Sequence, residues 1–299
     1  MTYTYIHHIP SPPLSTYIDD LYYWDGPVPY PRLKVVPMPS LHLMVNLGDA
    51  FQVYEPDHAK PLATCAESWA VGLWSTYHIV DWPLNVRFFG VHFKAGGVYP
   101  FLGRPLSELH NQVVSLDAIW GRFAAEMREQ LHAAPTTQAG FALLEQLLFV
   151  PLCEAPYGLE VVQYAIAEIA RQHGTLSIRA LSDHIGISQN HLGTQFKKMV
   201  GIPPKELARL YRIADIHCSI DPTQPSIGCG SHTNPATMIN RTSTRILLRL
   251  SGIAQQTICV FAVSYMLRTQ NITSFSVLYQ LIEFLQDTLS TLAYIRLKG

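Results

Sequence analysis

The sequence predicts an α+β protein: a β-rich, barrel-like N-terminal domain, then an all-α region, then an irregular C-terminal tail. Three observations carry that expectation. Short apolar runs rich in Val, Ile, Phe and Trp, punctuated by Gly and Pro, fill residues 33–93. Apolar residues then recur at helical spacings of three and four as far as Ser219. Beyond Pro225 no clear helical period returns until late in the chain.

Taken in order, Leu33–Pro37 and Leu41–Leu47 read as strands. The second ends at Gly48-Asp49, a turn signal, and Phe51–Tyr54 comes next, which predicts a hairpin. Trp69–Trp74, Tyr77–Trp82 and Val86–Phe93 read as further short strands. Ala118–Ala133 and Gln138–Leu152 carry helical periodicity. Val161–Ala170 is a helix stopped by Gly174, and Ser177–Ile185 is a short one broken by Gly186. Ser188 caps a third, Gln189–Val200, which ends at Gly201 and Pro203. A fourth starts near Pro204.

A length of 299 residues suits two ordinary domains or one large one. The apolar share of 48% with only 14% charged residues excludes a disordered or fibrous chain. The 21 basic and 22 acidic residues leave a net charge of −1, so any nucleic-acid surface must be a local patch. Five widely spaced cysteines do not make a disulfide scaffold, and a reducing cytosol is expected. The N-terminus lacks the basic start and apolar core of a signal peptide, and the stretch 257–267 is too short to span a bilayer. These features predict a cytoplasmic protein with no membrane partner.

Enzyme signals are weak. Ser182-Asp183-His184 is contiguous on one helix, which is not nucleophile-triad spacing. Lys94-Ala-Gly-Gly lacks the P-loop pattern. His7, His8, His42, His78 and His92 lie in or near strands without a carboxylate at metal spacing, and read as half-buried histidines. Trp69, Trp74, Tyr77, Trp82, Phe88 and Phe89 read as core, with an apolar small-molecule pocket as the alternative use. No catalytic residue, cofactor or metal is expected.

The middle of the helical region is more informative. Ile178, Leu181 and Ile185 form one apolar stripe, and Leu192, Phe196 and Met199 another. A short helix, a glycine turn and a Ser-capped second helix make a helix-turn-helix pattern. The second helix presents Gln189, Asn190, Thr194, Gln195, Lys197 and Lys198, amides suited to base edges and lysines suited to phosphates. Residues 162–212 hold seven Lys or Arg against three acids, a local basic patch. A helical hairpin with a solvated polar face has the same pattern.

LSIRALSDHIGISQNHLGTQFKKMVGIPPKELARLYRI, residues 176–213, resembles the first helix-turn-helix and linker helix of AraC/XylS-type transcriptional regulators. The Gly186-Ile-Ser188 turn, the His191-Leu192 and Phe196-Lys197 pairs and Gly201-Ile-Pro-Pro-Lys205 carry the resemblance. FFGVHFKAGGVYPFLGRPLSELHNQVVSLDAIWG, residues 88–121, is similar to the sensor domain of one branch. The resemblance implies a bacterial transcription factor with promoter DNA as partner, a small-molecule effector, and contact with RNA polymerase. It implies DNA-binding residues Ser188, Gln189, Asn190, Gly193, Thr194, Gln195, Lys197 and Lys198, with Asn190, Gly193 and Thr194 where the family commonly reaches bases. Family members often carry Arg where Thr194 stands. The alternative is a small-molecule-binding or enzymatic β-domain with an incidental helical tail.

The family carries a second helix-turn-helix, which should come after Asp221–Pro225 and does not. Joining the third base of each codon to the first two of the next gives another text. Ser226–Cys229 then permit V-D-W and V, L or M; Gly230–Thr233 permit R-I-A-H; Asn234–Arg245 permit Q-S-G-Y-Y-D-Q-S-H-F-N-K; Gly252–Ile258 permit G-H-S-P-T-N-Y. These spell the missing module by resemblance, so the expectation is a frameshift just after Pro225. The expected domains are therefore 1–155, a sensor domain with trailing helices; 156–225, the helix-turn-helix region; and 226–299, an out-of-frame tail. The metal-ligand-like spacing His217, Cys218, Cys229, His232 loses its meaning because two of the four lie in that tail, as do the sequons at Asn240 and Asn271, and Ser274–Tyr294 is an exposed apolar segment. Reading the gene across codons 220–265 in all three frames tests this. The shifted frame is expected to spell the second module; unrelated residues there would make the tail a genuine domain.

Overall fold

The computed structural model describes residues 3–28, 31–154 and 156–219. Contacts divide the chain into two compact units, Met1–Tyr211 and Arg212–Gly299. Residues 220–299 and the side chains of His217 and Cys218 lie outside the described residues, so the metal-like spacing, the sequons, the apolar tail segment and the 226–299 expectation do too.

Ten strands among the described residues form the β-rich part: β1 Thr4–His8, β2 Ile18–Asp25, β3 Arg32–Val35, β4 Leu41–Asn46, β5 Phe51–Tyr54, β6 Ala63–Cys65, β7 Ser68–Val71, β8 His78–Asp81, β9 Arg87–Phe93 and β10 Val113–Ser115. They make a six-stranded sheet, β1-β2-β9-β4-β7-β10, and a four-stranded sheet, β3-β8-β5-β6. Every described pair is antiparallel. The expected barrel is therefore not closed: both sheets keep their edges.

The central strands of the larger sheet, β2, β9, β4 and β7, are buried on both faces, and their register says which residues look where. Tyr22, Gly90, Met44 and Trp69 form one cross-strand row; Asp20, His92, His42 and Val71 form the next. This face meets the small sheet. Phe51 packs on Trp69 at 4.6 Å between ring centroids, and Trp82, just past β8, stacks on Phe88 at 5.8 Å. Leu21, Val91, Leu43 and Ala70 lie on the other face. There Phe89 meets Phe141 at 5.5 Å, and Phe93 meets Phe101 at 5.0 Å. A bulge between Ile18 and Asp20 changes the phase of β2 and places Asp20 opposite His92, on the inner face.

The expected hairpin of Leu41–Leu47 with Phe51–Tyr54 does not form. Strand β4 pairs with β7 and β9, whereas β5 pairs with β6 and β8 in the other sheet. Asn46, 1% exposed, explains the crossing. Its Nδ2 donates to the carbonyls of Asp49 (2.9 Å) and Ala66 (3.2 Å), and its Oδ1 accepts from the Gly48 amide (3.1 Å). The side chain thus satisfies the backbone of a loop that turns from one sheet to the next, instead of a two-residue turn.

Among the described residues eight helices succeed or interleave with the strands: α1 Tyr99–Leu102, α2 Asp117–Trp120, α3 Arg122–His132, α4 Thr137–Leu148, α5 Leu159–Arg171, α6 Ile178–Ile185, α7 Gln189–Met199 and α8 Pro204–Ser219. The single helix expected over Ala118–Ala133 is two, because Gly121 at φ 57° and ψ −136° takes a conformation open mainly to glycine. A 3₁₀ turn, Leu106–Leu109, joins α1 to β10.

Gly90 lies where Tyr22 crosses the sheet. A Cβ there would sit 2.0 Å from the Tyr22 ring. Gly90→Ala is expected to lower stability by about 1–3 kcal/mol through overpacking. Gly193→Ala, mid-helix in α7 with nothing within 4 Å, is expected to raise it by about 0.5–1 kcal/mol. Urea unfolding of the two variants measures both signs.

Candidate nucleic-acid interface

Local chemistry fixes α6 and α7. Ser177 Oγ accepts from the Ala180 amide, capping α6. Gly186, at φ 81°, ends it in the left-handed region, and the amides of Gly186 and Ile187 both return to the Ser182 carbonyl, at 3.0 and 3.1 Å. Two residues later Ser188 Oγ accepts from the His191 amide at 3.1 Å and starts α7. Leu192, Phe196 and Met199 are buried, and with them the face of α7 that points inward.

Seen down α7 at about 100° per residue, Asn190, Thr194 and Lys197 share the outer face, with Gln189 and Gly193 at its rim. Gln189, Asn190, Thr194, Lys197 and Lys198 are exposed, and Gly193 is half-buried beside open space. Four of the residues singled out from sequence have other contacts. Ser188 is the helix cap. Thr194 gives its hydroxyl proton to the Asn190 carbonyl at 3.0 Å. Gln195 is half-buried and turned toward Gly158 at the start of α5. Lys198 Nζ lies 5.9 Å from the Tyr99 ring centroid. Sequence reasoning leaves His191, exposed on α7, out of the candidate contacts, since it stands out there only as part of a motif pair; Arg179, exposed on α6, enters it only within the count of basic residues.

The β-rich part holds a second concentration of chemistry. His92 Nδ1 lies 2.5 Å from Asp20 Oδ1, and both residues are buried. The His92 ring stacks on Tyr22 at 4.1 Å and meets His42 edge-on at 4.3 Å. Tyr22 Oη lies 3.4 Å from His42 Nδ1, and Ser40 Oγ 3.2 Å from His42 Nε2. The carboxylate partner absent at metal spacing is thus supplied from 72 residues away. No group of three metal-ligating side chains occurs among the described residues. His78 and Trp74, buried and 4.4 Å apart, each keep a ring nitrogen without a hydrogen-bond partner, as do Trp69 and Trp82. Such unmade bonds cost about 1–3 kcal/mol each. Burial pushes the Cys65 thiol up to about 12, which removes it as a nucleophile. Among the described residues, no helix is long and apolar enough to cross a membrane.

Residues 6–115, from β1 through β10, match the model of a family described as a domain of unknown function, DUF6597. No curated protein matches the chain. Among solved structures, the chain is similar to the apo form of a ToxT variant from Vibrio cholerae strain SCE256, at 9% identity and a TM-score of 0.38, covering 67% of this chain and 82% of that one. It is similar to the AraC-like transcriptional activator CuxR at 13% identity and a TM-score of 0.26, covering 66% and 76%. A second ToxT structure, from Vibrio cholerae O395, aligns at 7% identity and a TM-score of 0.20, covering 63% and 98%.

Burial pushes His78 down to about 3. Its unfolded value is about 6.5, so the unfolded chain takes the proton first as pH falls. The stability from keeping His78 neutral is whole above about pH 6.5 and drains between there and pH 3. His78→Gln is expected to flatten the pH dependence of unfolding free energy across that window, by up to about 1.4 kcal/mol per pH unit. Parallel slopes for the two proteins would place the charge elsewhere.

Proposed function

We propose that this chain is a sequence-specific DNA-binding transcriptional regulator of the AraC/XylS type, with a β-rich sensor domain and with α7 as its reading helix. The observation that supports it most is the Ser188-capped α7 with Gln189, Asn190, Gly193 and Lys197 on an open face beside the Gly186 turn. Gln189 and Asn190 offer the amides that pair with adenine edges, and Lys197 offers a phosphate contact. Lys198, beside Tyr99, is the weaker phosphate ligand of the two. Thr194, whose hydroxyl is committed to the helix backbone, offers its methyl group instead. The unmade bonds of Trp74 and His78 support a small-molecule effector as the signal read by the sensor domain. Promoter DNA is the proposed partner and RNA polymerase the proposed recipient of the signal, in the cytoplasm of a bacterium.

DNA binding is impaired in this reading, because the residues after Pro225 do not spell a second helix-turn-helix. Losing one of two modules removes roughly half of the phosphate and base contacts and lowers affinity by orders of magnitude. In fluorescence anisotropy, residues 1–299 are expected to bind their own upstream DNA with a Kd of about 1 μM or weaker. Lys197→Ala is expected to reduce the slope of log K against log salt by about 1, and Lys198→Ala by less. Nanomolar binding by the intact chain would defeat the impairment, and salt slopes unchanged in both variants would show that α7 is not the reader.

A further inference from the structure

The loop between β7 and β8 touches two places at once. Its Trp74 lies inside the β-rich domain, 4% exposed, tilted against His78. Its next residue, Ser75, grips the first turns of α8. Ser75 Oγ donates to Glu206 and lies 2.6 Å from His110 Nε2. The Ser75 carbonyl accepts from the Arg209 guanidinium at 2.5 Å, and the Ser75 amide donates to Asn111 Oδ1 at 2.8 Å. His110 and Arg209 each come within 3.9 Å of Glu206. One serine therefore uses its amide, carbonyl and hydroxyl on partners 35 to 134 residues away.

The loop has little freedom to absorb a movement. A Cβ on Gly72 would sit 1.7 Å from the Leu109 carbonyl oxygen. The Gly72 amide donates to the Gln112 carbonyl at 3.1 Å, and the Asn111 amide to the Leu73 carbonyl at 2.9 Å. The same 106–112 segment also carries the link from α7 to α8, since a Cβ on Gly201 would sit 2.8 Å from the Leu106 carbonyl oxygen. Residues 200–203 then lead directly into α8.

We propose that residues 72–78 are a strap that couples the interior of the β-rich domain to the start of α8: Trp74 reads the interior and Ser75 transfers its position to Glu206 and Arg209. A shift at Trp74 moves Ser75 through a single peptide unit, and the charge-assisted bonds from Ser75 to α8 pull the helix with it. The consequence for DNA binding rests on the reading of α7 given above; the strap itself does not.

Hydrogen–deuterium exchange on the full chain tests it without DNA. Ser75→Ala and Glu206→Gln are each expected to raise amide exchange over residues 204–211 by about threefold or more. The double variant is expected to do no more than either single one, as coupled partners require. Trp74→Leu, or Trp74→Phe should the first not fold, is expected to raise exchange in the same peptide. Trp82→Leu, equally buried but outside the loop, is expected to leave residues 204–211 unchanged. Multiplicative effects in the double variant, or equal effects from the two Trp positions, would overturn the strap. A chain that shows the coupling yet does not bind DNA would overturn the DNA reading and leave the strap standing.

Discussion

The first unit depends on one strand being buried on both faces. Strand β9 lies between β2 and β4, and its seven residues alternate between two cores. Phe88, Gly90 and His92 face the small sheet; Phe89, Val91 and Phe93 face the helices. Past Arg87 at its start, a strand in that position has no room for an unmatched charge or a free backbone group, which is why it reads as a near-continuous apolar run. Gly90 leaves room for Tyr22, and Gly140 on α4 leaves room for Phe89, whose ring a Cβ there would meet at 2.3 Å. The one ionisable group in its middle, His92, is matched by Asp20 through the bulge in β2.

The segment after β9 carries that rigidity to the helices. The chain leaves the sheet at Lys94, turns through α1 and the 3₁₀ turn, and returns as β10 at the far edge of the same sheet. Both ends of the segment are therefore fixed. The last turn of α7 and the Gly201 turn rest on it, with Met199, Val200 and Ile202 buried. The open face of α7 is then a consequence of packing and not of composition. The residues that fill the inner face leave Asn190, Thr194 and Lys197 outward, and Lys198 ends beside Tyr99. The local excess of positive charge is shared between an outward side and a side engaged with the β-rich domain.

Periodicity and caps made the helices legible. Ser177, Gly186 and Ser188 mark the ends of α6 and α7 because each performs a backbone task that few other residues can perform. Strands β3, β4, β5, β7, β8 and β9 are legible as strands, since their inward residues are mostly apolar. Their partners are not. Gly48-Asp49 has the composition of a hairpin turn, but Asn46 binds the loop in a way that no local pattern announces. Strand β1 is mostly exposed, with two histidines and no apolar alternation, so it gives no strand signal; in β2, Asp19, Asp20 and Asp25 interrupt the apolar signal, and Asp20 is inward only through a bulge. The Asp20–His92 and Ser75–Glu206 contacts join residues 72 and 131 positions apart, so their existence is a property of the fold. Of the eight candidate DNA contacts, the division into open and occupied side chains also came from packing: the sequence places Gln195 among polar neighbours, and only the fold turns it toward α5.

A single reading helix engaging DNA is the central claim. Hydroxyl-radical footprinting of residues 1–299 on their own upstream DNA tests it directly. Backbone protection is expected over one half-site alone, and is expected to vanish when Gln189 and Asn190 are replaced by Ala. Two protected windows about 10 base pairs apart in a complex that sedimentation shows to hold one chain per DNA would contradict it, because they would require a second module in the chain after Pro225.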